Sequence, residues 1–176
     1  MIRLIKKTSS DTFYWQVWKE EKQLHILSGK LGVQGSKELM TPGFFESSNG
    51  LMKKLAKEQV NQGYEYVEED SLTKIAIQYR YNDESQFEAA EEKTLMVEDL
   101  LDEVLHSTGN GQLYGSEVGD GAGTTFVLVV DLQIAMDTIV KELTKHNVMD
   151  GAEIAYQNGE GTYVGLYPEG IQFELV

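Results

Sequence analysis

Three histidines, His25, His106 and His146, are the side chains best suited to proton transfer or metal ligation near neutral pH. No two of them stand four residues apart and no His-Glu-x-x-His stretch occurs, so the motif of a zinc protease is absent. His106 and His146 fall near the ends of two helical patterns, where an imidazolium suits the negative end of the helix dipole. There is no cysteine, which excludes disulfides, thiolate nucleophiles and Cys-based zinc or iron–sulfur sites. Gly29-Lys30 resembles the end of a phosphate loop. However, no glycine lies five residues before Gly29, and Leu31 stands where Ser or Thr is needed. Ser116 lies in Tyr114-Gly-Ser-Glu-Val118, which is not the G-x-S-x-G of a nucleophile elbow.

Two acidic features remain. Residues 115–123, Gly-Ser-Glu-Val-Gly-Asp-Gly-Ala-Gly, hold Ser116, Glu117 and Asp120 among glycines. The two carboxylates could hold a cation weakly, or the backbone could approach a ligand closely. The stretch lacks the spacing of a calcium-binding EF-hand, and it precedes a strand rather than opening a helix as a dinucleotide fingerprint does. The plainer reading is a flexible connection between two strands. The second feature is Glu88, Glu91, Glu92, Glu98, Asp99, Asp102 and Glu103. Paired carboxylates serve glycosidases, but on one amphipathic helix they are ordinarily its solvated face. No catalytic residue is assigned, and no metal or cofactor is expected.

The elements that must position these residues follow from periodicity. Ile2, Leu4 and Ile5 begin a strand, and Ser9-Ser10-Asp11 reads as a turn. Residues 13–18 alternate, with Tyr14, Gln16 and Trp18 on one face and Phe13, Trp15 and Val17 on the other. One tryptophan therefore belongs to the core and the other is a candidate partner contact. Residues 23–28 form the next strand. Gly29, Gly32 and Gly35 then punctuate a turn in which at least one of them adopts positive φ. Residues 36–40 return as a strand. A helix opens at Ser47, Ser48 or Asn49 and buries Leu51, Met52, Leu55, Ala56 and Val60, with Lys53, Lys54 and Lys57 outward and Gly63 as its stop. Further on, residues 72–81 form a strand, 82–90 a polar loop, and Leu95, Met96, Leu100, Leu101, Val104 and Leu105 a helical stripe. Residues 124–130 form the strongest strand. Asp131 caps a helix carrying Leu132, Ala135, Met136, Ile139, Val140 and Leu143, and a terminal hairpin follows.

The stretch from Phe13 to Tyr64 resembles a WGR domain, a small β-rich module with one helix found in poly(ADP-ribose) polymerases and bacterial regulators. The resemblance rests on the aromatic strand, the glycine turn from Ser28 to Gly35, and the helix ending Lys57-Glu-Gln-Val-Asn-Gln-Gly-Tyr64. It implies a nucleic-acid contact made by a Trp-Gly-Arg tripeptide. Here Ser28-Gly29-Lys30 stands in that place, so the stacking ring and the planar fork of arginine are both missing.

Composition bounds the rest. At 176 residues and 41% hydrophobic content, the chain can bury a core, and no apolar run approaches the ~18 residues of a membrane span. Residues 1–70 carry ten Lys/Arg and ten Asp/Glu, whereas residues 71–176 carry five and nineteen, so the whole formal charge of −14 lies in the second stretch. Such a half repels nucleic acid and anionic lipid. The expectation is an α+β chain with a WGR-like module over residues 1–70. A ferredoxin-like antiparallel sheet with two helices follows over residues 71–176. Its function is read as that of a cytoplasmic, bacterial, non-enzymatic interaction protein. The expected partner is a protein, met as an acidic inhibitor or immunity-like protein meets a basic toxin. The alternatives are weak nucleic-acid binding through Lys30, Lys37, Lys53, Lys54 and Lys57, and an enzyme working through residues 115–123. Trp15 and Trp18 complete the candidate binding residues as a candidate partner surface.

Overall fold

The computed structural model describes residues 1–43 and 46–176. The chain is α+β, its described residues forming two antiparallel five-stranded sheets and three α-helices. It divides into two compact units, Met1–Ser71 together with Ser107–Asn110, and Leu72–His106 together with Gly111–Val176.

The first unit begins with strands β1 (Ile2–Lys7), β2 (Thr12–Glu20), β3 (Gln23–Lys30) and β4 (Ser36–Met40). Helix α1 (Ser48–Val60) and the short strand β5 (Glu65–Tyr66) follow, and the sheet order is β4-β3-β2-β1-β5. Ser47 caps α1 by accepting from the Gly50 backbone N–H at 3.1 Å. One sheet face and α1 bury Leu4, Trp15, Val17, Leu24, Ile26, Leu51, Met52 and Ala56 against one another. Val60, expected on the buried helix face, is 36% exposed at the last turn.

The glycine turn owes its spacing to Tyr14. Only Gly32 of the three glycines has positive φ, at 80°. Gly29 lies within β3, directly opposite Tyr14. The Tyr14 hydroxyl donates to the Ser107 carbonyl at 2.9 Å. The Gly35 and Gly32 N–H groups donate to the carbonyls of Ser107 and Thr108, each at 3.0 Å. A Cβ on Gly35 would fall 2.0 Å from the Tyr14 hydroxyl oxygen, so the turn closes over the ring only because side chains are missing there.

The second unit runs β6 (Thr73–Arg80), α2 (Phe87–Ser107), β7 (Gly111–Gly119), β8 (Ala122–Val129), α3 (Leu132–Lys145), β9 (Ala152–Gln157) and β10 (Tyr163–Tyr167). Its sheet order is β10-β9-β6-β8-β7, every neighbouring pair antiparallel. Asp131 caps α3 by accepting from the Ile134 backbone N–H at 2.9 Å. Both helices share one core with the sheet, including Ile75, Ile77, Val97, Leu101, Val127, Val129, Ile139, Leu143 and Ile154. On the opposite face the last residues cross β6: the Gln78 amide donates to the Glu174 carbonyl at 3.1 Å and accepts from the Val176 N–H at 3.1 Å. That crossing explains why both faces of β6 are buried, which alternation alone does not predict.

Two expectations are corrected here. Residues 82–90 are not all loop, because Glu84–Gln86 form a 3₁₀ turn and α2 begins at Phe87. Residues 115–123 are not a loop. They are the end of β7, a two-residue turn and the start of β8, since Asp120 (φ 51°) and Gly121 (φ 92°) both adopt the left-handed conformation that joins twisted strands tightly. No helix among the described residues is long and apolar enough to cross a membrane.

Candidate functional site

In the first unit the sequence-selected residues do not converge. Trp15 is 5% exposed and packs in the core with α1. Trp18 lies on the face away from α1, half-buried, its ring 5.3 Å from that of His25, and Lys37 Nζ stands 5.9 Å from its centroid. His25 Nδ1 is 3.4 Å from a Glu20 carboxylate oxygen. Lys30 pairs with Asp11, and that contact, with a bond from Ser10, holds the Asp11 carboxyl below its usual range. Lys53, Lys54 and Lys57 are exposed on α1, against the opposite sheet face from Lys37. The cations are thus divided between two faces, and one is already neutralised.

In the second unit the hairpin turn and the start of α2 build a groove of about 850 Å³. Its walls include Tyr81, Asp83, Glu84, Phe87, Glu88 and Asp120. Asp120 and Glu88 were singled out in the sequence, whereas Tyr81, Asp83, Glu84 and Phe87 were not. Ser116 and Glu117 stand on β7 outside the groove, where the Ser116 hydroxyl donates to the Glu98 carboxylate. The frame is fixed by short-range bonds. Tyr81 N–H donates to the Gly121 carbonyl at 2.8 Å, tying the strand end to the turn. Asp83 accepts from the Ser85 backbone N–H at 2.8 Å, and Gln86 accepts from the Asn82 N–H at 3.0 Å. The backbone bond holds the Asp83 carboxyl below the ordinary carboxylate range, so it is charged at neutral pH. Tyr81 and Phe87 meet edge to face, centroids 6.3 Å apart at 87°. Carboxylates around an aromatic pair suit an ammonium or guanidinium group, which gains from both charge and ring quadrupole.

The acids continue along α2. Glu88–Glu92, Glu98–Asp102 and Asp99–Glu103 are like-charged pairs at i,i+4, each costing roughly 0.2–0.5 kcal/mol in an isolated helix. The helix's one lysine does not relieve them. Lys93 turns inward, 4.0 Å from the Tyr79 ring centroid, and donates to the Asp150 carbonyl at 2.8 Å. Leu95 and Met96, expected in the core, are 55% and 41% exposed on this outer face. The buried stripe is instead Ala90, Thr94, Val97, Leu101 and Leu105.

His106 occupies the last turn of α2, and His146 caps α3 with Nε2 3.7 Å from a Glu142 oxygen. Among the described residues no three His, Asp or Glu side chains gather as a metal site. No family model matches the chain, and comparison with curated proteins and with solved structures likewise finds no match.

Proposed function

We propose that the protein is a non-catalytic interaction protein of the cytoplasm. Its acidic second unit binds a basic segment of a partner protein in the groove between the 119–121 turn and the start of α2. The observation that carries this reading is the set of Asp83, Glu84, Glu88 and Asp120 around the Tyr81–Phe87 pair. Asp83 is shifted downward, the opposite of what a general acid working near neutral pH needs. In this reading the second unit is ferredoxin-like with one added strand, which the order β9-β6-β8-β7 supports. The first is a degenerate WGR-like module, supported by the aromatic strand, the glycine turn and the helix closing on Gly63-Tyr64.

Calorimetric titration with oligoarginine and oligolysine tests the groove. Both are expected to bind, oligoarginine more tightly because its fork matches carboxylates and stacks on rings. Added salt should weaken both. Glu88→Gln with Asp120→Asn should abolish most of the heat. Equal binding by that variant would overturn the site.

The nucleic-acid alternative makes the opposite demand. With its cations split between two faces and Lys30 held by Asp11, the first unit neutralises few phosphates at once. Duplex DNA is expected to bind at ~10⁻⁴ M or weaker at physiological salt. Micromolar binding by fluorescence anisotropy, lost in Lys53→Ala, would restore DNA as the ligand.

A further inference from the structure

On the face of β6 away from α2 and α3, the side-chain amide of Gln78 is fully buried and makes four hydrogen bonds. Two come from the neighbouring strands and fix which way the amide points. One N–H donates to a Glu153 carboxylate oxygen at 3.2 Å, and the amide oxygen accepts from the Thr124 hydroxyl at 3.4 Å. Glu153 is itself held by Arg80 at 3.0 Å. The second N–H serves the Glu174 carbonyl, and the amide oxygen also accepts from the Val176 N–H, each at 3.1 Å. A carbonyl at i and an N–H at i+2 are the two groups that one residue of a parallel strand bonds on its neighbour. Gln78 thus imitates a strand residue and reads an extended main chain without reading its side chains. Arg80 adds a bond to the same Glu174 carbonyl at 2.6 Å. The segment held this way is lightly fastened elsewhere. Residues 171–176 form no helix or strand, and Gln172, Glu174, Leu175 and Val176 are exposed. Ile171 lies over Gly165, where an added Cβ would fall 2.5 Å from its Cγ2, and the Phe173 ring lies 5.6 Å from that of Tyr163. Few apolar contacts and an exposed backbone mark a segment that opens below the free energy of global unfolding.

We infer that Gln78 and Arg80 form a receptor for an extended peptide segment, which residues 171–176 occupy as a detachable strap. The ligand that displaces the strap is an extended segment of a partner protein with apolar side chains two residues apart. Main-chain bonds supply affinity at such a site, and the places filled by alternate side chains supply specificity. Here those places are the one over Gly165, taken by Ile171, and the one beside Tyr163, taken by Phe173. None of these residues lines the groove of the 119–121 turn, so the inference stands apart from that reading. A foreign segment is favoured over the strap of a second copy. An identical strap makes no contact that the tethered one lacks, and the tethered one has the higher effective concentration.

The test uses the whole protein and a labelled peptide with the sequence of residues 170–176. Tethering holds the strap at a roughly millimolar effective concentration, so the wild type should bind the peptide weakly. Ile171→Ser with Phe173→Ser loosens the strap and leaves the receptor intact, and this variant is expected to bind at least about tenfold tighter. A peptide with proline in place of its last valine lacks the N–H that Gln78 accepts, and should lose that binding. Adding Gly165→Ala to the loosened variant should also remove it, because the new Cβ takes the space of the isoleucine. No binding by the loosened variant, equal binding by the wild type, or undiminished binding of the proline peptide would each overturn the inference. Should the loosened variant fail to fold, hydrogen exchange on the wild type decides. The Val176 amide is expected to exchange through a local opening, faster than the amides of β6 and with a weaker dependence on denaturant. Exchange in step with the β6 amides would show that the strap does not detach. Sedimentation of the wild type covers the other occupant: concentration-dependent association lost in the loosened variant would assign the receptor to the strap of a second copy and overturn the partner reading.

Discussion

Replacing Gly109 with alanine is expected to lower stability by about 3 kcal/mol and the thermal midpoint by about 10 °C. Two independent costs add. Gly109 has φ 69°, a left-handed conformation that an L side chain adopts at a cost. A Cβ there would lie 2.1, 2.2 and 2.5 Å from Cγ, Cδ2 and Cδ1 of Tyr14, whose ring is fully buried. The ring cannot retreat, because its hydroxyl is bonded to Ser107 and Gly29 and Gly35 close on its other end. Gly159→Ala serves as the control, since nothing lies within 4 Å of its added Cβ, and should leave the urea midpoint unchanged. A double-mutant comparison sharpens the claim. Gly35→Ala meets chiefly the Tyr14 hydroxyl oxygen, at 2.0 Å, so Tyr14→Phe should relieve part of its cost. Gly109→Ala meets ring carbons, which Tyr14→Phe retains, so it should gain no relief. Equal relief for both would show that the close approach is misassigned.

The Tyr14 nest also shows where sequence reasoning reaches its limit. Glycines at residues 29, 32 and 35 announced a tight turn, and Gly32 does take positive φ. What the turn closes upon could not be read, because Ser107–Asn110 lies more than seventy residues further along the chain. Local signals performed well wherever a short-range bond decides the outcome, as at the Ser47 and Asp131 caps. The groove was half hidden for a different reason. Asp120-Gly121 is a strong hairpin signal, but it was lost among four glycines in nine residues. The start of α2 carried its own mark, Asp83 followed three residues on by Gln86, the spacing of a capping box. The run of polar residues around it read as loop. Leu95 and Met96 were assigned inward because they are apolar. The true stripe includes Thr94, whose hydroxyl donates to the Ala90 carbonyl at 2.8 Å and so needs no water. A polar residue satisfied by its own helix can take a core position, and that frees an apolar neighbour for the outside.

Alkaline pH is expected to unfold the protein through its buried tyrosines. Burial raises the Tyr14 phenol from 10.0 to about 12 and raises that of Tyr79 as well. Each hydroxyl donates to a backbone carbonyl, Tyr14 to Ser107 at 2.9 Å and Tyr79 to Val148 at 2.8 Å, and only the protonated form can donate. The folded state therefore keeps protons that the unfolded chain releases. Between the unfolded value near 10 and the raised folded values, the native state binds more protons, so stability falls as pH rises. The contribution is complete below pH 10 and is lost on passing through the folded values. For Tyr14 the rise to about 12 amounts to about 2–3 kcal/mol. Urea midpoints should hold level below pH 10 and drop steeply above it, with tyrosinate absorbance appearing in step with unfolding. Tyr14→Phe is the decisive variant. At neutral pH it should lose about 1–2 kcal/mol, because the Ser107 carbonyl gives up a donor. Above pH 10 its stability should decline less steeply than that of the wild type, since one of the two responsible protons is gone. A variant with the same alkaline slope as the wild type would remove Tyr14 from the mechanism and leave Tyr79, testable by the same substitution, to account for the whole loss.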